Sequence, residues 1–201
     1  MSPPASSGSS RWPRVVELLE AQGRLSGVEM EVEVLGEVPE VYGRVQQLEQ
    51  VLLNLSLNAL DALAEARSPD PRIVVTIGAE EGGFTRLPRR RDDDPDAIDY
   101  THRRRVATGS ALGGPDALHT ASHNVVVRVR DNGPGIDTDH LDRLFDPFFT
   151  TKDPGKGTGL GLAICARLVD GMGGRIHAES PDGGGAVFVI RLPALQPSEV
   201  V

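Results

Sequence analysis

The feature that most constrains the fold is one long amphipathic segment, residues 44–67, which neither glycine nor proline interrupts. Its apolar side chains recur at helical spacing, namely Val45, Leu48, Leu52, Leu55 and Ala59. Ser68 and Pro69 follow, and they are typical of a helix end. The segment therefore predicts a long helix, and its apolar face needs a second layer of structure to pack against.

Several short segments are predicted to supply that layer. The alternation from Val28 to Val34 predicts a half-buried strand, and residues 36–43 predict a turn with a second short strand. The patterns predict further strands at 73–77, 125–129, 175–178 and 186–192, and short helices at 12–22, 139–144 and 160–169. These elements do not alternate as in a doubly wound sheet. We therefore predict an α+β fold, a two-layer α/β sandwich with a helical layer on one face of a mixed, mainly antiparallel sheet.

Three segments lack such patterns. Residues 1–10 are rich in serine and proline and predict a disordered start, and residues 196–201 predict a flexible tail. Residues 82–123 contain runs of arginine and of aspartate, which predict a mostly disordered insertion, although a regulatory or docking loop is the alternative. The folded domain is expected to cover residues 11–195 around that insertion.

Charge and composition exclude several classes of function. The net charge of -8 argues against nucleic-acid binding. The chain has a single cysteine, Cys165, which excludes a disulfide framework. No apolar run approaches the roughly 20 residues that span a bilayer. We expect a cytoplasmic segment without membrane contact, whose longer parent protein could still be membrane-anchored.

The long helix carries a polar stripe on one face. Asn54, Asn58 and Asp61 are four and three residues apart, so they lie on the same side of the helix. Burying such groups without partners costs about 1–3 kcal/mol each, so they should line a wet cleft or meet a ligand. An asparagine oxygen is a suitable ligand for Mg²⁺. Packing of this face against polar backbone is the alternative.

A polar turn follows the strand at 125–129. In this turn, Asp131 can accept a hydrogen bond from an exocyclic amine, while Gly133 and Gly135 let a flat ring approach the backbone. A plain turn is the alternative, because the same residue types form turns.

Glycine occupies every second position from Gly155 to Gly161, just before a predicted helix. The freed N–H groups could point at phosphate oxygens, and Lys152 and Lys156 add positive charge. No P-loop lysine follows, and a flexible linker is the alternative. Just before it, residues 144–152 hold three of the five phenylalanines; we expect Phe145 and Phe148 to anchor this loop in the core, with a mobile lid as the functional alternative.

Together these segments resemble the four nucleotide-binding boxes of sensor histidine kinases, in the order of that family. The residues 54–62, Asn-Leu-Ser-Leu-Asn-Ala-Leu-Asp-Ala, resemble the N box, and residues 131–135, Asp-Asn-Gly-Pro-Gly, the first glycine box. Residues 144–152, Leu-Phe-Asp-Pro-Phe-Phe-Thr-Thr-Lys, resemble the F box, and residues 157–162, Gly-Thr-Gly-Leu-Gly-Leu, the second glycine box. The resemblance implies the Bergerat ATP-binding fold that these kinases share with gyrase-type ATPases, mismatch-repair ATPases and heat-shock chaperones.

The resemblance also implies roles for individual residues, with ATP and Mg²⁺ as cofactors. Asn58 would coordinate Mg²⁺ and, with Lys152, form the catalytic set, while Asp131 would bind the adenine amine. The wider ATP site would consist of Asn54, Asn58, Asp61, Asp131, Gly133, Gly135, Ile136, Lys152, Lys156, Gly157, Thr158, Gly159, Leu160 and Gly161. One departure concerns Ala186, which stands where the family often has a hydroxyl near the adenine.

A second departure concerns the phosphoacceptor. None of the five histidines is followed by the acidic residue and proline of the family's dimerisation hairpin. The resemblance therefore implies transfer of the γ-phosphate to a histidine on a separate hairpin domain, and through it to a response regulator. One alternative is a gyrase- or chaperone-type ATPase. Asn54 stands where those carry a catalytic glutamate, which argues against it, while the nearby Glu49 keeps this alternative open. The other is a nucleotide-sensing module without catalysis.

Overall fold

The computed structural model describes residues 13–85, 120–153 and 157–195. Their helices are α1 (Pro13–Ala21), α2 (Val45–Glu65), α3 (Thr138–Leu141) and α4 (Gly161–Gly171). Their strands are β1 (Glu29–Leu35), β2 (Arg72–Thr85), β3 (Thr120–Asp131), β4 (Arg175–Glu179) and β5 (Val187–Pro193). None of these helices combines the length and the apolar composition that crossing a membrane requires.

The five described strands form one sheet in the order β1-β2-β3-β5-β4. β1 runs parallel to β2, while the other three pairings are antiparallel. The sheet is therefore mixed and mainly antiparallel, as the sequence predicts.

The core lies between this sheet and a layer formed by α1, α2 and α4. Fully buried side chains come from both layers, including Leu19, Leu55, Val127 and Ile190. Burying one such side chain contributes about 1.5–3 kcal/mol, so the long helix is held mainly by its apolar face. The predicted two-layer α/β sandwich is confirmed.

Three details differ from the sequence predictions. Residues 36–43 form no second strand; the structure has only an isolated bridge from Val41 to Ala194. β2 and β3 extend into the predicted insertion, because Thr85 pairs with Thr120. In β1 the alternation holds for Met30 and Val32, but Val34 is 47% exposed. The rest of the predicted insertion, like residues 1–10 and 196–201, lies outside the described residues.

Candidate functional site

The polar stripe of α2 lies on the surface where three loops meet the helix. Asn54, Asn58 and Asp61 are all half-buried, while the leucines between them enter the core. This arrangement follows from the amphipathic pattern, because the face opposite the leucines cannot be buried as well. The three side chains therefore stand in a row along the helix, ready to meet other elements.

Asn54 joins α2 to the start of α4. Its Nδ2 donates to the carbonyl oxygen of Gly161 at 3.4 Å, and its Oδ1 accepts from Gln50 Nε2 at 3.1 Å. Both ends of the amide thus have protein partners. The second glycine box is held against the helix at this point.

Asp61 joins the same helix to the end of the F box. Its Oδ2 accepts from Lys152 Nζ at 2.6 Å, and its Oδ1 accepts from Arg24 NH2 at 2.8 Å. Lys152, which the sequence predicts to reach a phosphate, is therefore paired with a carboxylate in this structure. No sequence pattern predicts the role of Arg24, since nothing in the local sequence connects it to Asp61, 37 residues away.

Asn58 lies between these two contacts. Among the described residues, no group makes a hydrogen bond with its side-chain amide. The amide oxygen is therefore available to a ligand, one turn from the Asn54 contact and one turn from the Asp61 contact. An oxygen in this setting fits Mg²⁺, which takes few protein ligands and keeps waters and phosphates for the rest.

Asp131 is the last residue of β3 and is only 4% exposed. Its Oδ1 accepts two backbone hydrogen bonds, from Gly133 N at 2.9 Å and from Ala186 N at 3.2 Å. No described residue donates to its Oδ2. Burial raises the pKa of this carboxyl group above its usual 3.8, and the two backbone N–H groups and Arg130 oppose that rise. One carboxylate oxygen is thus fixed by the protein and the other is free to accept from a ligand.

The turn after Asp131 packs against both α2 and the start of β5. A Cβ on Gly133 would lie 3.6 Å from Leu63 Cδ2 and 3.9 Å from Ala62 Cβ. On the other side, Gly185 N donates to the Gly133 carbonyl at 2.9 Å. Although residue 186 is an alanine without a hydroxyl, its backbone N–H still donates to Asp131 Oδ1.

Ser180 also supports this turn, although no sequence signal identified it. Its Oγ accepts from Ile136 N at 2.9 Å, and a Cβ on Gly135 would lie only 2.7 Å from the same oxygen. Ile136 is half-buried and packs against the core. Gly135 and Ile136, both predicted site residues, therefore lie beside the hydroxyl of Ser180, the residue that directly follows β4.

The F box packs differently from the prediction. Phe145 does anchor the loop, since its ring meets Phe188 edge-on with the centroids 6.5 Å apart. Phe148, however, is 75% exposed, so the prediction that it anchors the core is wrong. Its backbone has a φ of 65°, and its N–H donates to the Gly159 carbonyl at 2.9 Å. This contact turns the side chain outwards.

Gly159 is required at this contact. Its own φ is 65°, and a Cβ there would lie 2.7 Å from Phe148 Cα, closer than real side chains allow. Gly157 lies next to the same loop, because a Cβ there would be 2.8 Å from Thr150 Oγ1. The second glycine box is thus packed directly against the F box.

The remaining residues of the second glycine box lead into α4 and form its first turn. Thr158 Oγ1 accepts from Leu160 N at 3.4 Å, and Gly161 is the first residue of the helix. The contacts described here bring the four boxes together around α2. Lys156, the other predicted phosphate ligand, lies outside the described residues.

A concave region elsewhere on the surface holds none of these residues. It has a volume of about 310 Å³, lies between the end of α1 and β1, and is lined by Glu20, Gly23, Leu25, Ser26, Val28 and Met30. Its only charged group is an acid, which repels a polyphosphate. We therefore place the candidate site at the polar stripe of α2 rather than in this concavity.

Comparisons with known proteins identify the family of this chain. Residues 43–196 match the family described as histidine kinase-, DNA gyrase B-, and HSP90-like ATPase. Sporulation kinase E of Bacillus subtilis is 30% identical over 184 residues, which are 92% of this chain but only 19% of that protein. The chain thus spans about a fifth of the length of this relative.

Solved histidine kinase structures have the same fold. The nucleotide-free catalytic domain of histidine kinase ThkA has a TM-score of 0.60 and 25% identity, over 96% of this chain and 97% of that one. ThkA in complex with the response regulator protein TrrA has a TM-score of 0.58 and 22% identity, over 96% of this chain and 42% of that one. The chain therefore belongs to the histidine kinase-, DNA gyrase B- and HSP90-like ATPase family, as an ATP-binding catalytic domain of the sensor histidine kinase type.

Proposed function

We propose that this chain binds Mg-ATP and transfers the γ-phosphate to a histidine on a separate hairpin domain in two-component signalling. The observation that carries the proposal is the convergence of three loops on one face of α2. Gly133 approaches the helix beside Ala62, Lys152 pairs with Asp61, and the Gly161 carbonyl meets Asn54. Asn58 lies within this set with its amide free of described partners.

Asp131 would recognise the adenine. An exocyclic amine donates hydrogen bonds, and Asp131 Oδ2 is an acceptor that no described residue uses. Fixing Oδ1 by two backbone N–H groups holds the carboxylate in one orientation before the ligand arrives, which lowers the entropy cost of binding. Gly133, Gly135 and Ile136 would form the wall of this end of the site.

Asn58 would hold Mg²⁺ at the phosphate end. When bound, Mg²⁺ neutralises charge that develops on the phosphates during transfer. Lys152 would leave Asp61 to contact a phosphate, an exchange that costs little because both groups are partly exposed and exposed ion pairs contribute only about 0–1 kcal/mol. Gly157, Thr158, Gly159, Leu160 and Gly161, with Lys156, would supply backbone donors and charge to the same phosphates.

Transfer, rather than hydrolysis, is supported by the residues around Asn58. A hydrolytic relative needs a carboxylate to activate water, and Asn54 offers an amide whose two ends are already bonded. Glu49 lies on the other side of the helix, where Arg14 approaches its Oε1 at 3.8 Å. A water molecule at the phosphates would therefore find no base at position 54 or position 49 of this helix.

The acceptor would be an imidazole nitrogen on the partner hairpin. That nitrogen forms the new N–P bond while the bond from the γ-phosphorus to the ADP oxygen breaks, and the imidazole releases its proton. This chain would contribute the position of the phosphates and the charge that stabilises the leaving ADP. The hairpin would pass the phosphoryl group to a response regulator in the cytoplasm.

The experiment compares Asn58→Ala with Gln46→Ala, a change at an exposed position near the start of the same helix. Removing the metal ligand should weaken Mg²⁺-dependent ATP binding by roughly ten- to a hundred-fold or more, while Gln46→Ala binds like the parent chain. Isothermal titration calorimetry measures both, and circular dichroism checks that the variants stay folded. Equal binding by the two variants would refute the assignment of Asn58.

The catalytic part of the proposal needs a second measurement. The 201-residue chain, γ-labelled ATP and a histidine hairpin domain should yield acid-labile label on the hairpin, and less of it with Asn58→Ala. Steady phosphate release by the chain alone would instead favour the hydrolytic alternative. Mg-ATP binding with neither activity would favour the nucleotide-sensing module.

A further inference from the structure

We propose that Arg24 is a positioning residue of the nucleotide site, which holds the Asp61 carboxylate when Lys152 moves to the phosphates. The proposal rests on the nucleotide site proposed above. Arg24 precedes the part of the chain that matches the family model, residues 43–196. The segment that ends α1 would thus be a functional part of the site.

The backbone places Arg24 firmly. α1 ends in a Schellman motif, in which Gly23 N donates to the Glu20 carbonyl at 2.8 Å and Arg24 N donates to the Leu19 carbonyl at 2.9 Å. Gly23 has the left-handed φ of 67° that this motif needs. Leu19 is fully buried against the core, so the helix end cannot easily shift. Arg24 therefore projects from a fixed point beside α2.

The carboxylate of Asp61 is shared between two cations, one on each oxygen. Arg24 NH2 lies 2.8 Å from Oδ1, and Lys152 Nζ lies 2.6 Å from Oδ2. Lys152 comes from a loop, whereas Arg24 lies in the hydrogen-bonded turn that closes the packed helix α1. Of the two cations, Lys152 is the one that can leave.

Departure of Lys152 would have a consequence for the phosphates. Asp61 lies one turn from Asn58, so an uncompensated carboxylate there would repel a triphosphate held through Mg²⁺ on Asn58. Arg24 keeps one cation on Asp61 throughout the exchange. Its guanidinium has five N–H donors, so one bond to Asp61 does not exhaust it, and it keeps its charge at any working pH.

The test measures Mg-ATP affinity of the full chain for Arg24→Gln, Arg24→Lys and a matched control, Arg14→Gln. Arg14 lies in α1 and, like Arg24, pairs with a carboxylate of α2, but that carboxylate is Glu49, far from Asp61 along the helix. Arg24→Gln should weaken binding by about two- to five-fold, the range for exposed ion pairs, and less at high salt. Arg24→Lys should bind like the parent, because lysine still neutralises Asp61. Arg14→Gln should also bind like the parent, because Arg14 pairs with Glu49 and leaves Asp61 unchanged.

A double-mutant cycle with Asp61→Asn separates positioning from direct contact. In the Asp61→Asn chain, Arg24→Gln should cause no further loss, because no carboxylate remains to neutralise. An equal loss in both backgrounds would mean that Arg24 contacts the nucleotide itself, and it would overturn the positioning role. Binding of Arg24→Gln indistinguishable from Arg14→Gln would also overturn it.

The same series includes Asn58→Ala, so that the two proposals fail separately. If Asn58→Ala loses affinity while Arg24→Gln does not, only the role of Arg24 is wrong. If Asn58→Ala binds like the parent, the nucleotide site itself is wrong, and the role of Arg24 is rejected with it.

Discussion

Replacing Asp131 by asparagine should reverse the hydrogen-bonding character of the adenine end of the site. In the parent chain, Oδ1 accepts from Gly133 N and Ala186 N, and Oδ2 is left for the ligand. An asparagine must keep its oxygen toward those two N–H groups, since its NH₂ group cannot accept from them. The NH₂ group then faces the adenine amine, donor against donor.

The magnitude follows from the loss of one charge-assisted hydrogen bond. Hydrogen bonds to charged groups contribute about 1.5–3 kcal/mol, so the ATP dissociation constant of Asp131→Asn should rise roughly ten- to 150-fold. The variant should lose less affinity for inosine triphosphate, whose carbonyl oxygen on C6 replaces the adenine amine and accepts from the new NH₂ group. The preference for ATP over inosine triphosphate should therefore shrink or reverse.

Isothermal titration calorimetry with both nucleotides and Mg²⁺ measures this preference directly. Asp137→Asn is the matched control, because Asp137 caps α3 in the same loop by accepting from Asp139 N at 3.0 Å, and asparagine caps helices equally well. If Asp131→Asn binds ATP within about two-fold of the control, or keeps the parent's nucleotide preference, the role of Asp131 in recognising adenine is refuted.

Two further predictions concern stability. Gly159→Ala should lower the free energy of unfolding in urea by at least about 1–2 kcal/mol, because the left-handed backbone of Gly159 and its contact with Phe148 both exclude a Cβ. Gly161→Ala is the control and should leave this free energy unchanged or slightly higher, because a Cβ there would meet nothing within 4 Å. Equal effects of the two changes would contradict the packing described. Because burial raises the pKa of Asp131 in the folded chain, its contribution to stability is present below the unfolded value of 3.8 and is lost as the pH rises through the folded value. The unfolding free energy of the parent minus that of Asp131→Asn should therefore be larger at about pH 4 than at about pH 7, and a difference that grows with pH would disprove this reasoning.

The parts of the fold that depend on local patterns could be predicted from the sequence. The long helix was predicted at 44–67 and is found at Val45–Glu65, because a leucine-rich face and the absence of glycine and proline act within the helix itself. The predicted strand at 73–77 does not include the extension of β2 to Thr85. A register irregularity between Glu81 and Phe84 and two adjacent glycines remove the alternating pattern there, although pairing with β3 continues to Thr85.

The parts that depend on contacts between distant residues could not be predicted. The alternation in β1 predicts a strand. Its parallel pairing with β2, however, depends on how the segment between the two strands, which contains α2, returns the chain to the sheet. The orientation of the Phe148 side chain depends on the backbone contact with Gly159. The pairing of Arg24 with Asp61 joins the turn after α1 to α2, 37 residues further along the chain. For the candidate site, the sequence predicted which residues gather at α2, while the partners of Asp61 and the support from Ser180 needed the structure.

The most direct test of the central claim is a crystal structure of this chain with Mg²⁺ and a non-hydrolysable ATP analogue. We predict the adenine amine within hydrogen-bonding distance of Asp131 Oδ2, the metal on Asn58 Oδ1, and Lys152 moved from Asp61 to a phosphate. A nucleotide bound elsewhere, for example in the concavity between α1 and β1, or a metal without contact to Asn58, would contradict the account.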